Sequence, residues 1–249
     1  MNRTRVGLFV ACASTLSHVA LAGPPLMTDD PGTPGPNAWE INLAGDLEYG
    51  PSQESVEGPL LDVGYGIGRR WELGVAAAWV WSGALGDTPS GSMGSAELSA
   101  KWRFLGEADR GFALSFSPQF DFNPQDVEEY GLLHRGTALE LPFQVGWSTE
   151  KFQVIGDAGY VIAIQNTDVV WAGAAGIGEI KEALDLMAEV HVEVPGDASS
   201  VEVVANAGFT YEFNETFALL ASAGSAAWTG GPDFLAYAGL QCDLGVGEH

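Results

Sequence analysis

The chain has 249 residues, with 33 Asp+Glu against 10 Lys+Arg and a net charge of −23. So acidic a balance argues against nucleic acid as a partner, because phosphate recognition needs a basic face. Acidity does not imply disorder here, since 46% of the residues are hydrophobic, with 8 Trp and 12 Phe.

Residues 1–22 read as a targeting segment. Arg3 and Arg5 make a positive start, an apolar run follows from about Val6 to Leu16, and Ala20-Leu21-Ala22 satisfies the small-x-small cleavage rule. The run is too short for a membrane helix, and Ser14, Thr15 and His18 interrupt it. A cleaved signal peptide is therefore expected, leaving Gly23 first. Cleavage also removes Cys12, so Cys242 has no cysteine to pair with and no thiolate metal site can form within the mature chain. Beyond residue 22 no stretch reaches 18 consecutive apolar residues, which excludes helical spans.

Residues 23–37 are rich in Pro and Gly and carry no periodic pattern. From residue 38 the dominant signal is period two. Trp39, Ile41, Leu43, Leu47 and Tyr49 alternate with Glu40, Asn42, Asp46 and Glu48. The same alternation recurs through segments at about 60–68, 71–81, 94–104, 111–122, 137–148, 152–163, 169–180, 184–194, 200–213, 216–226 and 234–244. Each such segment is a strand with one apolar and one polar face. The segment 169–180 is the weakest, because Gly and Ala occupy both of its faces. A strand of ten residues, at about 3.3 Å per residue and a tilt near 45°, rises roughly 23 Å, close to the apolar band of a membrane barrel.

The connections alternate as well. Arg69-Arg70, Gly106 to Arg110, Thr149 to Lys151, Lys181 to Ala183 and Asn214-Glu215 are short. Those at 50–59, 82–93, 123–136, 195–199 and 227–233 are mostly longer, while 164–168 is a short exception. Short periplasmic turns and longer external loops are the habit of outer-membrane barrels. Aromatic residues gather at strand ends, and Lys and Arg avoid the apolar phase, where one near the bilayer midplane would cost roughly 2–4 kcal/mol. A soluble β-sandwich also alternates. The number of matched strands and the aromatic girdles favour instead an all-β fold: an antiparallel transmembrane β-barrel of about 12 strands over residues 38–249. Both termini then lie at the periplasmic rim.

The run Thr28-Asp29-Asp30-Pro31, leading into Trp39-Glu40-Ile41-Asn42, resembles the start of a proteobacterial outer-membrane family called putative transporter or "MetA-pathway of phenol degradation" protein. The resemblance implies a bacterial outer-membrane location and a channel for small, often hydrophobic compounds, with no enzymatic step. This chain departs from barrels of this kind by ending Leu244-Gly-Val-Gly-Glu-His249 rather than on an aromatic residue for the assembly machinery.

With the apolar phase on lipid, the lumen is expected to be lined by Glu40, Asp46, Glu48, Asp62, Glu72, Glu97, Asp121, Glu140, Asp157, Asp185, Glu189, His191, Glu193, Glu202 and Glu212, opposed by Lys101 and Arg103. Carboxylate rings favour cations and repel anions. The expected function is passage of small neutral, hydrophobic or cationic compounds; the alternative is that these groups are hydrogen-bonded filling in a narrow barrel. Residues 23–37 form either a periplasmic tether or a plug within the lumen that includes Thr28, Asp29 and Asp30, with Asp29 and Asp30 capping a turn or pairing with Arg103.

Other classes remain weaker. A non-conducting structural or surface-interaction barrel would use the loops 82–93 and 123–136. A lipid-modifying enzyme needs a Ser beside a base on the outer surface, but no Ser pairs with His134, His191 or His249 in any motif. Glu189, His191 and Glu193 share a face and read as a lumenal patch more readily than as a metal site. No metal, cofactor or catalytic residue is expected. The partners expected are outer-membrane lipid, a small-molecule solute and the barrel-assembly machinery, with the oligomeric state left open.

Overall fold

Alternation produces strands, and in the computed structural model these strands pair in sequence order until the sheet closes on itself. The structure describes residues 24–50, 53–84, 90–107, 110–122, 137–164, 167–197, 201–227 and 231–245. Residues 1–22, expected as a signal peptide, the loop 123–136 and His134 and His249 lie outside the described residues. The strands are β1 (Trp39–Tyr49), β2 (Gln53–Ile67), β3 (Trp71–Ala84), β4 (Ser90–Leu105), β5 in two pieces (Gly111–Phe116, Gln119–Phe122), β6 in two pieces (Ala138–Glu140, Phe143–Ser148), β7 (Phe152–Ala163), β8 (Val169–Lys181), β9 (Leu184–Pro195), β10 (Glu202–Glu212), β11 (Phe217–Ala226) and β12 (Phe234–Leu244). Every pairing is antiparallel, and β12 returns to β1 in register from Trp39↔Leu244 to Tyr49↔Phe234. The result is a closed 12-strand barrel with no sheet edge.

Two strands are broken, and both breaks are at proline. Pro118 and Pro142 have no N–H to give the ladder, so β5 and β6 part there and resume. Their carbonyls still accept, from Ala100 N at 3.1 Å and Ser117 N at 3.1 Å.

The strand at 53–59 corrects the sequence reading, which placed a loop over 50–59. Gly58-Pro59 reads as a turn signal. Instead Pro59 sits where the β2–β3 register shifts between Glu57 and Leu60, a bulge that asks nothing of its missing N–H. Likewise 82–84 and 90–93, expected as part of a loop, extend β3 and β4. Among the described residues the barrel wall is therefore taller over β2–β4 than elsewhere. The weak segment 169–180 is a regular strand, paired along its length with β7 and β9.

The distribution of side chains is inverted relative to a water-soluble protein. Leu43, Leu61, Val75, Leu98, Val145, Val190 and Leu240 point outward and are exposed, while Asn42, Ser115, Gln144, Glu189, His191 and Asn206 are buried inside. A continuous apolar belt of this extent has no stable place in water. Aromatic rings line the rim where β1 begins and β12 ends: Trp39 lies 4.5 Å from Tyr65, and Trp71 stacks on Trp102 at 5.4 Å. Such rings suit the headgroup boundary. Tyr49, Trp79, Trp81, Phe122 and Phe234 stand toward the other rim.

The belt makes a direct prediction. Leu98 is 59% exposed and sits mid-wall between Val75 and Phe120. Leu98→Arg should lower folding stability in lipid vesicles by about 2–4 kcal/mol, measured by urea titration, while Leu98→Phe should change it little. An Arg variant as stable as the parent would place this face away from lipid.

Candidate functional site

The lumen is not empty. Residues 24–38 run inside the barrel from the rim where β1 begins, and Thr28, Asp30, Pro31 and Thr33 are buried there. The segment enters beside β2, where Asn37 N donates to Gly66 O at 2.9 Å and Gly66 N to Ala38 O at 2.9 Å. Gly66 is required at this crossing, because a Cβ there would overlap the Gly35 carbonyl. Asn37 takes a positive φ of 60°, a conformation Asn tolerates better than most residues.

The wall then holds the segment by hydrogen bonds to its backbone. Glu189 on β9 accepts from Met27 N at 2.9 Å and from Thr28 N at 2.8 Å. Asp157 on β7 accepts from Asp29 N at 2.9 Å, and Ser222 Oγ on β11 donates to Pro25 O at 2.6 Å. Asn206 Nδ2 fixes the Glu189 carboxylate at 2.8 Å. The turn at Asp29-Asp30 is self-capped: Asp30 accepts from Gly32 N at 2.7 Å, and Asp29 from Asp30 N at 2.8 Å.

Apolar contacts complete the docking. Leu26 packs on an interior cluster of Ile155, Ala175, Ile177 and Met187, and Met27 on Val204 and Leu235. These wall residues lie on the inward phase. Sequence reasoning treated that phase as polar throughout and so missed them. The signal available was the poor polar/apolar contrast of 169–180, where Ala175 and Ile177 face inward.

Asp29 pairs with Lys101 of β4, at 2.8 and 3.0 Å to its two carboxylate oxygens. Arg103, the partner considered from sequence, donates to the Arg69 carbonyl and lies 3.4 Å from Glu107. Gln144 Nε2 also reaches Asp29 at 3.4 Å.

All 17 residues expected to line the lumen lie on the inward phase of their strands. They do not form one site. Glu40, Asp62, Glu72, Glu97, Lys101, Glu140, Asp157 and His191 border a single cavity of about 300 Å³ between the wall and the segment's Asp29 and Asp30. Asp46, Glu48, Asp121, Asp185, Glu189, Arg103, Glu193, Glu202 and Glu212 stand elsewhere along the interior, away from that cavity. Thr28 is against the wall on the far side of the segment, at Gly173. A Cβ on Gly173 would stand 2.6 Å from Asp157 Oδ1, 3.2 Å from His191 Nδ1 and closer still to Thr28 Oγ1. These three atoms are buried and have no hydrogen-bond partner. His191 Nε2 faces Glu193 at 3.2 Å, and its ring stacks on Trp171 at 5.6 Å. Among the described residues no group of three or more His, Cys, Asp or Glu side chains is placed to hold a metal ion.

No protein-family model matches the sequence, and no curated protein does. Solved structures do match in fold. The chain is similar to the KdgM porin, with a TM-score of 0.57 and 9% identity over 84% of this chain and 99% of that one. It is similar to the NanC porin at 0.56 and 9% identity, over 81% and 98%. The translocator domain of the autotransporter NalP from Neisseria meningitidis follows at 0.54 and 14% identity, over 84% and 88%. At such identities the likeness is one of fold, and that fold is the outer-membrane β-barrel.

Proposed function

We propose that the chain is an outer-membrane channel for small neutral or cationic compounds, closed at rest by residues 24–38. The observation that carries this is the cavity of about 300 Å³ inside a closed wall, bordered by acidic side chains and by the N-terminal segment. A barrel of 12 strands is wider than one its own side chains can fill, and narrower than an open porin. Here the difference is taken up by a segment of the same chain. The likeness to porins supports transport at the level of fold only, and the resemblance of the Thr28–Pro31 run to outer-membrane transporters points the same way. Neither gives any support to an enzyme.

One observation favours a second reading. The segment fills so much of the lumen that a non-conducting barrel would look the same at rest. Planar-bilayer recording separates the two. The channel reading expects discrete openings with cations preferred over anions, because carboxylates dominate the lumen. A barrel silent under all applied potentials supports the non-conducting reading, and anion preference contradicts the acidic-lumen argument.

A further inference from the structure

We infer that Lys101 is the gate of this channel, and that solutes pass between the docked segment and the β1–β4 wall when Lys101 leaves Asp29. The inference rests on the channel reading and names what opens it. The backbone of the segment is fastened to β7, β9 and β11, through Asp157, Glu189 and Ser222. Its apolar side chains Leu26 and Met27 pack on β7 and β8 at Ile155 and Ile177, and on β10 and β12 at Val204 and Leu235. The cavity lies between the segment's Asp29 and Asp30 and the β1–β4 wall, where Glu40, Asp62, Glu72 and Glu97 border it. Lys101 spans that gap from β4, with its Nζ 2.8 and 3.0 Å from the two carboxylate oxygens of Asp29. Beyond Asp29 the bar continues, since Asp157 of β7 holds the Asp29 N–H and Gln144 of β6 reaches its carboxylate. A chain of polar contacts thus crosses the lumen from β4 to β7.

Two observations make the Lys101 end of this bar movable. The first is solvation. The Asp29 side chain is 32% exposed, against 12% for Lys101, and an ion pair open to solvent on one side is modest in strength. The second is an alternative partner. Glu72 stands directly opposite Lys101 in the β3–β4 ladder, on the same inward face. Opposed Cα atoms of an antiparallel pair are about 4.5–5.5 Å apart, well within the reach of a flexible lysine stem. In this structure Glu72 leans the other way, over Gly64 of β2, where a Cβ would stand 2.6 Å from its Oε1. Lys101 can therefore pass from Asp29 to Glu72 without losing a carboxylate partner. It is the only Lys or Arg bordering the cavity among the described residues, so no second cation there takes its place on Asp29. The hydrogen bonds from Asp157, Glu189 and Ser222 do not pass through Lys101. Asp29 still accepts from Asp30 N within its own turn. The segment accordingly stays docked while the gate opens.

The test uses the protein purified from membranes and inserted into planar bilayers, with residues 24–38 in place and potassium chloride as the conducted salt. Asp29→Asn keeps an oxygen for the Asp30 N–H and removes the charge that holds Lys101. Lys101→Met removes the bar from its other end. Each should raise the fraction of time spent open by about three- to tenfold, the range a partly solvated ion pair supplies, with the current of the open level unchanged. The double variant should open no more than either single one, because both remove the same contact. Protease cutting within 24–38 should stay at the parent's level in all three. Asp29→Asn leaves the barrel wall untouched, so it carries the test if Lys101→Met fails to fold. An open fraction equal to the parent's in the single variants overturns the inference. So does protease cutting that rises in step with opening, which would make Lys101 an anchor of the segment rather than a gate. Deletion of residues 24–36 keeps the two readings apart. Current in the deletion but no gain in the single variants removes the gate and leaves the channel, while silence in every variant, the deletion included, removes the channel and the gate with it.

Discussion

Deleting residues 24–36 should raise the passive flux of small solutes through the barrel by about tenfold or more, given the width of an emptied barrel of this strand number. The wall does not depend on the segment for closure. The β12–β1 ladder runs unbroken from Trp39↔Leu244 to Tyr49↔Phe234, and the outer belt rests on lipid. What the deletion removes is the filling. The Asp29 side chain leaves Lys101, and Leu26 and Met27 leave the apolar clusters on Ile177 and Val204. Glu189, Asp157 and Ser222, freed from the segment's backbone, would be rehydrated rather than stranded, because the emptied lumen admits water. The truncated barrel should therefore fold, at reduced stability, and conduct. Liposome swelling with uncharged solutes of increasing size measures the effect. Unchanged flux would show that these residues are no barrier.

The barrel was legible because its two faces meet different solvents. Lipid outside and polar filling inside impose a strict alternation, and β1, β9 and β12 display it within one or two residues of their ends. What the alternation could not supply was the height of the wall. Over 53–59, Gly58 and Pro59 resemble a turn, and only the register shift beside them makes room for proline in a ladder. The interior was legible for charged side chains, whose phase follows from the strand. Its apolar part was not. Ile155, Ala175, Ile177 and Val204 face inward because a second piece of the same chain covers them, and residues far apart in sequence carry no local sign of that contact. The pairing of Asp29 with Lys101 was hidden for the same reason. Both Lys101 and Arg103 face inward on β4, and the choice between them depends on how deep the segment reaches, which is set by Glu189 and Asp157.

Glu189 is the residue on which that depth most depends, and Glu189→Ala should release the segment. The residue is 4% exposed, and its carboxylate accepts three N–H donors, two from the segment and one from Asn206. Hydrogen bonds to a charged group contribute about 1.5–3 kcal/mol each, and their loss leaves buried donors unpaired. Part of that cost returns as water enters, so the docked state should lose about 2–4 kcal/mol relative to the undocked one. Since 1.4 kcal/mol is a factor of about ten in a population, the undocked fraction should rise by tens to several hundredfold. Glu189→Gln should fall between, because one amide oxygen can still accept while its NH2 group opposes a backbone N–H. Gly173→Ala attacks the same joint sterically, as its Cβ would press on Thr28 and Asp157. Two readouts must move together: protease cutting within 24–38, and conductance. Glu182→Gln, in an exposed turn at the rim, should alter neither. If Glu189→Ala frees the segment to protease without raising conductance, the segment is a lodged tether and the barrier to solutes lies elsewhere in the lumen.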